Sequence, residues 1–249
     1  MDLFAFPPLA ALLDLASSGL TGLSSLLEPL AGVSAAATAV VVVTLLVRAI
    51  LIPTGIAQAK AEQTRARLGP KLRDLHKRWA KNPERLQRET MQLYRDERTS
   101  PFAGCLPVLA QAPVVGILYA VFLHPVIAGH PNALLDETLL GVPLGTSLAG
   151  TAASGSLDVG TALVFGVLVL LIAIVGEVTR RVFRMPQPSR DAESPVPAIP
   201  SWLVGGLQFV TAIVALFVPL AAGLYLLTTV TWTLAQRAVL RRIYPLPVS

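Results

Sequence analysis

One cysteine, three histidines and a 14% share of charged residues are all that these 249 residues offer to metal, redox or acid–base chemistry. A lone Cys105 excludes an internal disulfide and a Cys-rich metal site, and His76, His124 and His130 do not fall at HExxH-type spacing. No Gly-rich phosphate loop and no GxSxG is present, so nucleotide hydrolysis and a serine nucleophile both lack a candidate. The sequence therefore predicts no metal, no cofactor and no enzymatic activity. Basic residues are missing from two long tracts, 1–47 and 99–179. What remains is 53% hydrophobic with a mean hydropathy of +0.64, far too apolar for an ordinary soluble domain. The composition reads as an all-α polytopic membrane protein.

Five apolar stretches, near 33–55, 104–123, 159–178, 201–218 and 219–236, approach the length needed to span about 30 Å of hydrocarbon at roughly 1.5 Å per residue. The last two run together, and Phe217 to Gly223, "FVPLAAG", supplies proline and glycine for a tight turn between them. Of the twenty basic residues, twelve lie in 60–98, four in 180–190, three in 237–242, and the last is Arg48. Positive charge marks the cytoplasmic side, so the amino terminus is expected outside and the carboxyl terminus inside. The expected order is an extracytoplasmic interfacial helix (1–31), a first span (32–57), a cytoplasmic helical hairpin (58–100) and a second span (101–124). An outer loop (125–158), a third span (159–179), a cytoplasmic loop (180–200), a fourth span (201–218), a fifth span (219–238) and a short cytoplasmic tail (239–249) complete it.

Leucines at 9, 12, 13, 20, 23, 26, 27 and 30 fit one face of a helix broken near Gly19 and Gly22, lying on the outer surface. In the hairpin, Leu68, Leu72, Leu75 and Trp79 recur at helical spacing, and Leu86 and Leu93 continue the stripe beyond Asn82-Pro83. Proline disfavours the α conformation in the residue before it and is welcome in a helix's first turn, so a break is expected there. Twelve basic and six acidic residues cover this segment. They fit solvation with i, i+4 pairing and a docking arm for lipid headgroups or ribosomal RNA equally well. Glu177, with Arg180 and Arg181 at i+3 and i+4, is expected to form an interfacial ion pair. Pro107 and Pro113 in the second span fit local mobility and static packing equally well.

The stretch 100–119, "SPFAGCLPVLAQAPVVGILY", resembles the signature of the YidC/Oxa/Alb membrane protein insertases. Ser100-Pro101, Gly104-Cys105-Leu106-Pro107 and Gln111-Ala112-Pro113 occupy the places of that family's Asn-Pro, Gly-Cys-x-Pro and Gln-x-Pro, with Tyr119 at its following tyrosine. "RAILIP" and "GPKLRDLHKRWAKNPERLQRETMQLYRDE" upstream, and "PLAAGLYLLTTVTWTLAQRAVLRR" downstream, extend the likeness over most of 44–122 and 217–242. Ser100 replaces the usual Asn, and Leu226 stands where many members carry a second aromatic. The chain is similar to a short form, of Gram-positive or actinobacterial type.

Arg48 lies inside the apolar run "VVVTLLVRAILIP", where a permanent charge is expensive. From the sequence alone, snorkelling to the interface and facing a wet interior are level, since Gly55 at the expected helix end is only about 10 Å away. The resemblance implies the second: a hydrophilic groove open to cytoplasm and lipid and closed outside. Thr44, Gln111, Tyr225, Thr228, Thr229 and Gln236 are the other candidate groove residues, and Thr44 also has the option of bonding only its own helix. The function implied is that of an insertase in the bacterial plasma membrane, moving short hydrophilic segments of nascent membrane proteins across the bilayer and releasing their apolar spans into lipid. The implied partners are those clients, lipid, the Sec translocon and, weakly through the hairpin and the 180–200 loop, the ribosome. A small-solute transporter or channel, and a folding scaffold for membrane complexes, are the alternatives. No internal repeat of the kind transporters carry is visible.

Overall fold

A computed structural model describes residues 7–97, 99–100, 106–127, 129–183, 206 and 209–245. The expectations for Pro101 to Cys105, for most of the 180–200 loop, for much of the fourth span and for the end of the tail lie outside these residues. The described chain is mostly helical. It divides into two compact units: the first holds the described residues of Met1–Ala49, Pro113–Arg184 and Ile199–Leu234, the second those of Ile50–Ala112, Met185–Ala198 and Ala235–Ser249.

The N-terminal helix α1 (Pro7–Ala31) passes through a short 3-10 turn (Gly32–Ser34) into α2 (Ala35–Ile50). Gly19 and Gly22, expected to break α1, do not interrupt it. A helical glycine costs only about 1 kcal/mol against alanine, and packing overrides that. Here Leu13 and Leu20 are buried in the core while Leu12, Leu15, Leu26 and Leu30 on another side stay exposed. Among the described residues, two helical stretches, Ala10–Ile50 and Val159–Val182, are long and apolar enough to cross a membrane.

The expected first span, 32–57, is divided. Helix α2 ends at Ile50, Leu51 leaves helical geometry (φ −86°, ψ 7°), and α3 (Ile52–Trp79) starts with Pro53 in its first turn. Proline removes the amide that would continue the ladder, so a new helix begins where its missing N–H does no harm. The first helix of the expected hairpin therefore starts at Ile52 rather than at 58.

Helix α5 (Leu106–Leu123) leads into a loop that is mostly structured. Strands β1 (Val126–Ile127) and β2 (His130–Pro131) pair antiparallel, as do β3 (Thr138–Leu139) and β4 (Val142–Pro143). Leu140 and Gly141, at φ 54° and 84°, form the two-residue turn between β3 and β4. Such turns need positive φ at both positions, which matches the twist of the strands. Helix α6 (Leu148–Ala153) follows, then α7 (Val159–Val182). Asp158 caps α7 by accepting from the amides of Gly160 and Thr161 at 2.9 and 3.3 Å. That pairing, led by the Thr161 hydroxyl, holds the Asp158 carboxyl below its usual range. At the other end Glu177 accepts from Arg180 (2.7 Å) and Arg181 (2.6 Å), the ion pair expected from the spacing, so both ends of α7 complement its dipole.

A short helix α8 (Val210–Val214) and a turn through Pro219 precede the last helix, α9 (Leu220–Ile243). The loop that follows α5 is sutured to this turn. The amides of Leu220 and Ala221 donate to Thr146 and Leu144 carbonyls at 2.8 and 2.9 Å, and the Ala149 amide donates to the Leu216 carbonyl at 3.0 Å. Two of the four orphan amides at the start of α9 are thus satisfied by the loop. Leu134, Leu135, Val142 and Leu144 are buried beneath it with Phe122 and Phe165. Gly223 lets α9 approach α7: a Cβ there would stand 2.6 Å from Leu168 Cδ2.

Candidate functional site

Within the first unit, α2 buries Ala37, Val40 and Thr44 on one stripe while Leu46 and Ile50 are exposed. Arg48 sits one turn beyond Thr44 on the buried stripe and is itself partly buried. It thus starts from the protein side of the helix rather than from the outward side. Among the described residues it has no carboxylate within ion-pair distance and no hydrogen-bond acceptor. Thr44 is fully buried, and its hydroxyl donates to the Val40 carbonyl at 2.7 Å, so that side chain satisfies its own helix.

Helix α9 contributes the next candidates. Tyr225, 3% exposed, packs its ring against Tyr119 (centroids 6.3 Å apart) and Phe122 (5.9 Å), both on α5. These tilted arrangements favour contact of ring edges with ring faces. Thr228, Thr231 and Thr233 each donate to their own i−4 carbonyl at 2.8 Å. Thr229 differs: its hydroxyl is buried and has no partner among the described residues. A buried hydroxyl left unpaired costs on the order of 1–3 kcal/mol, so Thr229 is a standing demand for a polar group.

The other two candidates belong to the second unit, and there they come together. Gln111 Nε2 donates to the Thr54 hydroxyl, which donates in turn to the Leu51 carbonyl at 2.6 Å. The Gln236 amide lies directly against Gly55, in the space a Cβ would need. Thr54 and Gly55 on the first turn of α3 thus collect both glutamines. Sequence reasoning missed Thr54; its signal was a polar residue just after Pro53, in a run otherwise apolar from Ala49.

Helices α3 and α4 (Pro83–Asp96) pack antiparallel in the same unit. Asn82 caps α4, accepting from the Arg85 amide at 3.1 Å, with Pro83 in the first turn. The Arg85 guanidinium stacks over the Trp79 ring at 3.9 Å and closes the tip. At the far end of α4, Glu97 bridges Lys71 (2.5 Å) and Arg67 (2.8 Å) on α3. The bond to Lys71, aided by Arg67, holds the Glu97 carboxyl below its usual range. An open groove of about 290 Å³ between the helices mixes Lys71 and Arg78 with Asp74, Glu89 and Asp96. Its walls carry both signs of charge, which suits solvation and pairing better than capture of one anion.

The profile of the family described as 60Kd inner membrane protein matches residues 27–246. The chain belongs to this family. Its relatives include a membrane protein insertase YidC of Streptomyces avermitilis, 26% identical over 223 residues, which cover 84% of this chain and 52% of the relative. The YidC of Clostridium perfringens is 43% identical over 79 residues, 32% of this chain and 33% of the relative. That of Pasteurella multocida is 39% identical over 92 residues, 37% of this chain and 17% of the relative. The chain thus spans about half the length of the first of these and a third or less of the other two. The likeness expected from 100–119 and its flanks is therefore the family's own, and the matched segment contains Arg48, Thr54, Gln111, Tyr225, Thr229 and Gln236.

Proposed function

We propose that this protein is an insertase of the bacterial plasma membrane, crossing the bilayer several times with its amino terminus outside. It accepts short hydrophilic flanks of nascent membrane proteins from the cytoplasm and releases the attached apolar segment sideways into lipid. No bond is made or broken. Hydrophobic transfer drives release, at about 0.8 kcal/mol per methylene buried.

The observation that carries this reading is Arg48: a cation with no partner among the described residues, partly buried, at the end of the buried stripe of an apolar helix. A permanent charge survives at such a depth where it meets water or a transient anionic partner, and an acidic client flank is such a partner. The half-buried Thr228 and Thr229, in the same unit, add polar contacts for the same flank. Nascent clients and lipid are the partners; a role beside the Sec translocon, and weak ribosome contact through the α3–α4 hairpin, belong to the same proposal.

The test is reconstitution of the purified protein in proteoliposomes with a single-span client bearing a short acidic tail. At an effective dielectric near 20, one charge pair about 4 Å apart is worth up to roughly 4 kcal/mol before desolvation is subtracted. Arg48→Ala is therefore expected to slow insertion at least several-fold and Arg48→Lys to retain most of it, because the field matters more than the guanidinium shape. Insertion at full rate by a folded Arg48→Ala protein sinks the assignment of Arg48. Solute flux without insertion selects a channel, and neither activity selects a folding scaffold.

A further inference from the structure

The end of α9 and the root of α3 run side by side in the second unit, joined by contacts that neither the periodicity nor the charge count announces. Gln236 lies on Gly55. Arg241 Nη2 meets Glu62 Oε1 at 3.1 Å, with both side chains about a third exposed. Lys60 Nζ stands 5.7 Å from the centroid of the Tyr244 ring. Gln63 Nε2 donates to the Pro245 carbonyl at 2.9 Å. From the first contact, 55 with 236, to the last, 63 with 245, both positions rise, so the two segments are parallel. Ala61 and Leu240, within the same two stretches, are buried.

We propose that Glu62, Gln63 and Lys60 form a clamp that grips the end of α9 and fixes the direction in which the α3–α4 hairpin leaves its root. The physical case rests on variety as much as number. A helix root held only by apolar contact can slide along its partner, because dispersion is non-directional. An ion pair, a cation over a ring and an amide on a backbone carbonyl each fix a different direction. Together they set register and rotation at once. Apolar burial adds little to hold the hairpin: on α3 and α4 only Ala61 and Leu68 are buried. The clamp is a positioning device. It touches no client and acts by presenting the hairpin in one orientation, so this inference rests on the insertase reading for its consequence but not for its existence.

Two readouts separate these levels. The first is the mobility of a nitroxide on the exposed position Arg88 of α4, measured in the full-length protein in proteoliposomes; the second is insertion of the single-span client by the same preparations. Glu62→Arg sets two cations against each other and is expected to loosen the hairpin and slow insertion roughly three- to five-fold, the range of a partly exposed ion pair. The swapped pair Glu62→Arg with Arg241→Glu is expected to restore both, which a mere loss of folding would not allow. A disulfide between Gln63→Cys and Pro245→Cys, made in a Cys105→Ala background, is expected to leave insertion at the wild-type rate, because the clamp stays closed. Unchanged hairpin mobility in a folded Glu62→Arg protein, failure of the swap to restore it, or loss of insertion on closing the disulfide each overturns the proposal. If the wild-type protein inserts no client at all, the function fails while mobility still decides the clamp.

Discussion

Removing the side chain of Asn132 should unlatch the loop that follows α5, at a cost that its hydrogen bonds set. Helix α5 ends at Leu123, and the carbonyl of Val121 would ordinarily accept from the amide four residues on. That residue is Pro125, which has no N–H. Asn132, 4% exposed, supplies the missing donor: its Nδ2 reaches the Val121 carbonyl at 2.7 Å and the His124 carbonyl at 3.0 Å, while its own amide donates to the Pro125 carbonyl at 2.8 Å. Asn132→Ala deletes two hydrogen bonds worth about 1 kcal/mol each and leaves the Val121 carbonyl buried without a donor, but it also removes the Asn132 Oδ1, which is buried with no partner among the described residues, so the net loss is about 2–3 kcal/mol. For a chain of this size that lowers the unfolding midpoint by roughly 4–12 °C. Asn132→Asp keeps the shape but aims an oxygen at both carbonyls, and at neutral pH it should be worse than alanine. The assay is thermal unfolding of detergent-purified protein, with hydrogen exchange over 126–144 to locate the damage. A midpoint for Asn132→Ala within about 2 °C of wild type, equivalent to less than 1 kcal/mol, refutes the reasoning.

Two further outcomes follow from local geometry. Because the Glu97 carboxyl is held below its usual range by Lys71 and Arg67, its contribution to α3–α4 pairing is fully present above the unfolded carboxylate pKa of about 4.3 and is lost as pH falls through the lower folded value. Amide exchange in α4 should accelerate over that acidic window in the wild type and lose that pH dependence in Glu97→Gln. Leu140 is 77% exposed and holds a left-handed conformation that disfavours a branched side chain. Leu140→Asn is expected to stabilise by about 1 kcal/mol, raising the unfolding midpoint by roughly 2–4 °C; a lower midpoint counts against the turn assignment.

The elements most legible in the sequence are those whose signals are local. Asp158 and the pair Arg180-Arg181 bracket a run without other charge than Glu177, and α7 occupies Val159–Val182 against an expected 159–179. Asn82-Pro83 gives the α3–α4 break because capping and the proline ring act within one turn. Among the candidate groove residues, Arg48 was legible for a similar reason: a guanidinium in an apolar run is anomalous whatever surrounds it. Thr229 was a candidate too, but only as one of a group, since four threonines at similar spacing look alike until three of them turn back to their own helix.

Hydropathy, charge bias and capping add up along the chain, so the sequence alone determined a mostly helical, membrane-class protein, the position of α7 and the break between α3 and α4. Partnership between distant polar groups does not add up that way. Gln111 finds Thr54 57 residues away, and Gln63 finds the Pro245 carbonyl 182 residues away. Asn132 serves α5 only because the β1–β2 hairpin returns the loop to the helix end. Each of these bonds depends on angle and distance to within a few tenths of an ångström. That precision comes from helix packing and loop closure, and only the tertiary structure supplies it.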